Sequence, residues 1–371
     1  MKFKVSSGDL ERRLSVLSRV IESKPSTPIW SHFLFETIGD SLRITAGSQD
    51  IIMQTELSIL DSEQDAKSVL PGEKLIAYLK TLPEQPVTMS IDENNSMVIY
   101  TSAGKSSQMG ESADQWPQNS ELKEDSISTF TISSQSLLTG ISRTAFAISS
   151  DELRPVLNGI FFEIEPTTLT MVATDSQKLV RYTRTDVQAG INASFVLNRR
   201  PANILKSALD KEDSMIRIEF DSKIVRFHLP LYTISCTQPE GNYPPYRTAI
   251  PTNNPYTLVI NRQNLLNAVQ RVSLYSNTTK LIRLDVGSDS VNISAQDIDF
   301  ACQAKEMISG EFDGDSLSIG FKATNLTEVL SNLESEDISI RLLDSVRATL
   351  VSPSTKHEGE DELMLIMPMK V

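Results

Sequence analysis

Apolar and polar residues alternate at the start of the chain through Phe3 and Val5, and then the period changes. Leu10, Leu14, Leu17 and Ile21 fall three or four residues apart. Alternation marks a half-buried strand, and the wider spacing marks a helix with one buried face. The same switch returns at Phe130 and Ile132, followed by Leu137 or Leu138, Ile141, Ala145 and Ile148. It returns again at Leu258 and Ile260, followed by Leu265 or Leu266, Val269 and Val272. The three openings begin at residues 3, 130 and 258, so they are 127 and 128 residues apart.

Two further markers keep this register. Leu42–Asp50 resembles Leu169–Ser176 and Val291–Asp297. A strand running into a helix recurs at Val69–Gly72, Val196–Arg199 and Ile319–Lys322. The second helices carry Leu75, Ile76 and Leu79, then Ile204, Leu205 and Leu209, then Leu326, Val329, Leu330 and Leu333. Solenoid repeats run about 20–50 residues, so this period describes a whole domain. Three tandem copies are predicted, over residues 1–124, 125–253 and 254–371. Each copy reads as two halves, a helix followed by strands. Asp92–Ser96 between Val87–Ile91 and Met97–Tyr100 is a hairpin signal, as is Gly39–Ser41 between Phe33–Phe35 and Leu42–Ile44. The fold class expected is α+β, with helices confined to one side of antiparallel sheets.

Charge changes the picture. The net charge of −13 argues against nucleic acid if taken alone. Its distribution does not. The six predicted helices, 9–22, 73–81, 135–148, 199–211, 262–275 and 322–333, hold thirteen Lys or Arg and six acids, leaving −20 elsewhere. Basic helices in an acidic protein suit a surface that faces a polyanion. The chain opens as Met1-Lys-Phe-Lys directly in a strand, with no signal peptide or long apolar run, so a cytoplasmic location away from membranes is expected.

Candidate chemistry is sparse. There is no Gly-rich phosphate loop, no zincin helix and no nucleophile elbow. Thr174-Asp175-Ser176 reads as a polar turn, and the acids Glu358, Glu360, Asp361 and Glu362 as a solvated loop. Cys236 and Cys302 read as isolated thiols, and His32, His228 and His357 have no ligand spacing. No catalytic residue, metal or cofactor is expected. The end, Leu363–Val371, is apolar with Pro368 flanked by methionines. It can be a core strand, or the lining of a groove for partner peptides.

These residues carry a resemblance. Met1–Lys4, Lys24–Ile29, Leu157–Gly159, Ala173–Asp175, Tyr243–Arg247, Asp344–Val346 and Met367–Lys370 are similar, in order and spacing, to the bacterial DNA polymerase III beta subunits, the DNA sliding clamps. The resemblance implies three clamp domains per chain and a head-to-tail homodimer closed into a ring around duplex DNA, with helices inside and sheets outside. It implies a non-catalytic processivity factor that contacts DNA without regard to sequence. The DNA-facing positions it implies are Lys24, Arg154, Arg199 and Arg200, with Pro155 and Val156 standing where the family often has aromatic residues. Its partners would be the polymerase III catalytic subunit, the clamp loader, and other replication and repair proteins. They would dock extended motifs on Leu157, Thr174, Ser176, Gln177, Lys178, Leu179, Pro244, Val346, Leu365, Met367, Pro368 and Met369. The family pattern Thr-Asp-Gly-His-Arg-Leu reads Thr174-Asp-Ser-Gln-Lys-Leu179 here. Leu274 and Tyr275 match the subunit interface, facing an edge strand at about Lys105–Met109.

Overall fold

The computed structural model describes every residue except 23, 25, 26, 63, 119, 120, 124, 125 and 371. The expected boundary at 124–125, Pro25 and Ser26 of the Lys24–Ile29 motif, and the final Val371 lie outside the described residues.

The first copy comprises β1 (Lys2–Ser6), α1 (Ser7–Leu17), β2 (His32–Ile38), β3 (Ser41–Gly47), β4 (Ile51–Ser58), β5 (Ala66–Pro71), α2 (Gly72–Thr81), β6 (Pro86–Ile91), β7 (Ser96–Tyr100) and β8 (Lys105–Met109). The second repeats the order with β9 (Ser128–Ser133), α3 (Ser134–Thr144), β10 (Gly159–Glu165), β11 (Thr168–Thr174), β12 (Lys178–Arg184), β13 (Ala193–Asn198), α4 (Arg199–Leu209), β14 (Met215–Phe220), β15 (Ile224–His228) and β16 (Thr233–Thr237). The third comprises β17 (Tyr256–Asn261), α5 (Arg262–Ser273), β18 (Leu281–Val286), β19 (Ser290–Asp297), β20 (Cys302–Ser309), a two-residue β21 (Glu311–Phe312), β22 (Leu317–Lys322), α6 (Ala323–Ser331), β23 (Asp337–Leu342), β24 (Thr349–Pro353) and β25 (Glu360–Ile366).

Local chemistry sets the strand-to-helix switches. The Ser6 side chain accepts from the Asp9 N–H at 3.2 Å, and Asn261 accepts from the Asn264 N–H at 3.0 Å, so each caps the helix it precedes. Gly72 opens α2 where a Cβ would stand 2.3 Å from the Phe33 ring, so only glycine admits this packing. The predicted first helices run on to Ile21 and Ile148. Instead α1 and α3 tighten into 3-10 turns, Ser18–Val20 and Ala145–Ala147, and Ile21 and Ile148 are already extended. The tighter turn still buries Val20 and Ala147, which is why the apolar spacing overran the α-helix.

Two compact units result, and the division follows sheets, not repeats. One comprises Met1–Gln135 with Asn203–Gln238, the other Ser136–Ala202 with Pro239–Val371. The first unit holds a four-stranded sheet, β1-β6-β7-β8, and an eight-stranded sheet, β5-β2-β3-β4-β16-β15-β14-β9. The long sheet is continuous because β4 pairs antiparallel with β16, Met53 opposite Ile234 and Ile51 opposite Cys236. Phe33, Phe35, Leu10, Leu14, Leu17 and Ile44 are fully buried in this unit. The second unit holds a nine-stranded sheet, β13-β10-β11-β12-β25-β24-β23-β17-β21, and a four-stranded sheet, β20-β19-β18-β22. Here β12 pairs with β25, Val180 opposite Met364 and Leu179 opposite Leu365. Phe162 and Phe195 stack at 4.5 Å in its core. Among the described residues no helix is long and apolar enough to cross a membrane.

Candidate partner-docking groove and basic positions

The β11–β12 hairpin and the tail after β25 meet in the second unit. Thr174 and Leu179 close the hairpin as a register pair, and Thr174 Oγ1 donates to the Lys178 carbonyl at 2.7 Å. Ser176 stands at the tip with φ of 75°, the left-handed conformation in which glycine has no Cβ to clash, and the family pattern has glycine there. Leu365 pairs with Leu179, and both belong to an apolar cluster with Val172, Tyr246, Ala348, Leu350 and Leu363. The chain then leaves the sheet. Met367 donates its N–H to the Gln177 carbonyl at 2.8 Å, and Met369 donates to Gly320 at 2.8 Å. Pro368, which has no N–H to give, falls between these two bonds. Leu363–Ile366 is thus buried strand, whereas Met367 is exposed and Pro368 and Met369 are half-buried beyond it.

The expected groove residues divide into buried and solvent-facing sets. Leu157, Thr174, Lys178, Leu179 and Leu365 are buried; Ser176, Gln177, Pro244, Val346 and Met367 are exposed; Pro368 and Met369 are half-buried. Val346 is 77 % exposed on a turn whose Asp344 carboxylate accepts the N–H groups of Val346 and Arg347 at 2.8 and 2.6 Å. Ala348, two residues on, packs in the apolar cluster with Leu179 and Leu365. Pro244 lies between Tyr243 and Tyr246, and the Tyr243 ring stacks on Phe161 at 4.7 Å.

Lys178 is not a free cation of the groove. Its ammonium is buried, 2.5 Å from Asp175 and 2.9 Å from Glu328 of α6. Burial opposes the charged form of both Lys178 and Asp175. The mutual ion pair, Glu328 and backbone N–H bonds outweigh it, so Lys178 is held above the usual lysine value and Asp175 below the usual carboxylate value. Asp175 thus serves the turn, accepting from the N–H groups of Gln177 and Lys178, each at 2.9 Å. Gln177 is likewise tied to α6 through Asn325 at 3.1 Å. Sequence reasoning missed Asn325 and Glu328. Glu328 is the one charged side chain of α6, and that was the available signal.

The basic positions are less uniform than helix charge suggested. Arg143 is buried, donates to the Asn332 carbonyl at 3.1 Å and pairs with Glu334. Arg262 donates to the Ser335 and Leu330 carbonyls, and Arg271 grips Glu306 with two bonds of 2.8 and 2.6 Å. Arg13 lies over the Tyr232 ring. Lys74, Lys80, Lys206 and Lys211 are exposed, as are Lys24, Arg154 and Arg199, while Arg200 is half-buried. Arg199 donates to the Ile148 carbonyl. Arg154 reaches Asp151 at 2.9 Å and Ser176 at 2.8 Å, so it borders the groove. Pro155 is exposed and Val156 half-buried beside it. Leu274 and Tyr275, beyond α5, are 78 % and 45 % exposed.

Three repeats of one α+β unit, with sheets that run from copy to copy, define a DNA-clamp architecture. Family models agree along the chain. The N-terminal, central and C-terminal domains of the DNA polymerase III beta subunit match residues 1–120, 131–245 and 247–370. The chain belongs to that family, whose members are non-catalytic processivity factors of DNA replication. It is 23 % identical to the beta sliding clamp of Haemophilus influenzae and 24 % to that of Pseudomonas aeruginosa, each alignment covering 100 % of both chains. Solved clamp structures share the fold. That from Pseudomonas aeruginosa superposes with a TM-score of 0.93 at 23 % identity, covering 100 % of both chains. That from Bacillus subtilis superposes with 0.91 at 22 %, covering 100 % of this chain and 99 % of the other.

Proposed function

We propose that this protein is a cytoplasmic DNA sliding clamp. In this reading two chains, each of three clamp domains (1–124, 125–253 and 254–371), close head to tail around duplex DNA and tether the replicative polymerase. One topological observation carries it. The fourth strand of a copy pairs with the last strand of the next copy, as β4 does with β16 and β12 with β25. The rule leaves β20, the fourth strand of the third copy, and β8, the last strand of the first, as sheet edges. A second chain satisfies both edges at once, and head-to-tail contacts that close make a ring. Helix ends follow the same rule. Arg19 beyond α1 reaches Ser207 of α4, and Arg143 of α3 reaches Asn332 and Glu334 beyond α6. The equivalent end, Leu274 and Tyr275, is exposed.

Function then needs no tight grip. Lys24, Arg154, Arg199 and Arg200 would meet phosphates, which carry no sequence information, through contacts that salt weakens. Closure prevents escape while individual contacts exchange. The groove would take extended motifs of the polymerase III catalytic subunit, the clamp loader and other replication and repair proteins. Each apolar anchor that it buries contributes roughly 1.5–3 kcal/mol. Tethering raises the effective concentration of polymerase at the primer end. The test is primer extension by the replicative polymerase with its loader, under a DNA trap that captures every released polymerase. Addition of this protein is expected to lengthen the products of a single binding event severalfold. Products of unchanged length would sink the reading.

A further inference from the structure

Resting on that head-to-tail reading, we infer the register of the closing strand pair and where its apolar seal lies. The three copies are internally aligned by their own sheets. Val5 opposite Val87 corresponds to Ile132 opposite Ile216, and Ile91 opposite Met97 corresponds to Phe220 opposite Val225. Met97 faces Gln108 as Val225 faces Cys236, so Gln108 occupies the place of Cys236 and Ser106 that of Ile234. On the other edge, Ala46 opposite Met53 and Ala173 opposite Val180 correspond to Ala295 opposite Ala304. Ala304 therefore occupies the place of Met53, and Cys302 that of Ile51. Transferring the β4·β16 register sets Ser106 against Ala304 and Gln108 against Cys302 across the seam.

The pleat agrees with this assignment. Ser106 and Gln108 are the half-buried positions of β8, and Cys302 and Ala304 are half-buried on β20. Lys105, Ser107, Gln303 and Lys305 face outward. A slip of one residue would set half-buried positions against exposed ones. Where the two internal junctions have Met53 with Ile234 and Val180 with Met364, the seam has Ala304 with Ser106, so its strand centre is polar. The apolar surface has moved to one end. The β19–β20 hairpin tip carries Ile298 and Phe300, 80 % and 81 % exposed. In the inferred register the partner's approach to that tip is Met109, itself 66 % exposed. Met109 corresponds to Thr237 and Met367, whose N–H groups reach the hairpin-tip carbonyls of Asp50 and Gln177 at 2.9 and 2.8 Å. The seam is thus zipped by backbone bonds and sealed by Met109 against Ile298 and Phe300, with Leu274 and Tyr275 at the helix end.

A single substitution tests the register because Cys302 is already present. Directly opposed antiparallel residues have Cα atoms about 4.5–5.5 Å apart, within disulfide reach. Treated with diamide, Gln108→Cys is expected to give a covalent dimer, the two thiols losing two protons and two electrons to the diamide as the S–S bond forms. Adding Cys302→Ser should abolish it. Ser107→Cys, on the opposite face, should cross-link poorly. Separately, Ile298→Asp with Phe300→Asp changes only exposed side chains and should weaken dimerisation about 100-fold or more in sedimentation equilibrium. If the protein has dimer mass but Ser107→Cys cross-links as well as Gln108→Cys, the register is wrong and the dimer stands. Dimerisation unchanged in the tip variant overturns the seal alone. A protein that stays monomeric at high concentration overturns the head-to-tail reading itself.

Discussion

Glu362 tests how the β12–β25 ladder, which carries Leu179 and Leu365 of the expected groove, is held together. It stands opposite Tyr182 in that ladder, and its Oε1 is buried without a hydrogen-bond partner among the described residues. Burial pushes its carboxyl up to about 7; Glu360 and Glu334 push the same way, while Arg143 opposes them. A carboxyl whose folded value exceeds its unfolded value of 4.5 costs stability as pH rises between the two, because the folded state then binds more protons than the unfolded state. A tenfold difference in proton affinity between the two states corresponds to about 1.4 kcal/mol, so the cost at pH 8 is at most about 3 kcal/mol, and at pH 5 it is under about 1 kcal/mol. Glu362→Gln removes the titration and keeps the shape. Hydrogen exchange of the amides of residues 178–184 and 360–366, compared with the unsubstituted protein at the same pH, measures the local opening free energy. The variant is expected to protect this ladder by about 1–3 kcal/mol more at pH 8, with little gain at pH 5. An equal gain at both pH values, or none at pH 8, would mean that Glu362 is not held protonated by its burial.

Other outcomes follow from the same geometry. Lys178→Met leaves Asp175 partly buried without its cation, and a loss of about 3–5 kcal/mol in the unfolding of the second unit is expected by chemical denaturation; a loss below about 1 kcal/mol would mean the ammonium is not structural. Leu365→Ala leaves a cavity in the apolar cluster of Leu179, Leu350 and Leu363 and should cost about 2–5 kcal/mol of stability. Met369→Ala should abolish calorimetric binding of an extended polymerase peptide while the dimer mass is unchanged; unaltered peptide affinity would move the proposed groove elsewhere. Lys105→Glu places an acid opposite Lys305 in the inferred seam and should tighten the dimer severalfold at low salt, since such cross-strand pairs contribute roughly 0.2–1 kcal/mol each.

The threefold repeat and most strands and helices were legible because each copy keeps the same change from alternation to helical spacing. The rest was hidden for physical reasons. The sequence pattern cannot tell an α-helix from the 3-10 turn that finishes it, since both bury Val20 and Ala147 on one side. Counting helix charges overestimated a phosphate-facing layer, because Arg143, Arg262 and Arg271 close contacts within the protein. The expected groove rests on Thr174–Leu179 and Leu363–Met369, and nothing local in the sequence shows that Asp175 and Glu328 hold Lys178 inside. Glu328 is 150 residues from Lys178, a separation no local pattern bridges. The pairing of β4 with β16 and β12 with β25 was equally invisible, and against it β8 and β20 stand out as sheet edges.

The most direct measurement of the central claim is retention on DNA after loading onto a nicked circle. The protein should stay with the circle through gel filtration and leave once a restriction enzyme linearises it, because closure and not phosphate affinity holds it there. Equal loss from circular and linear DNA would contradict the account.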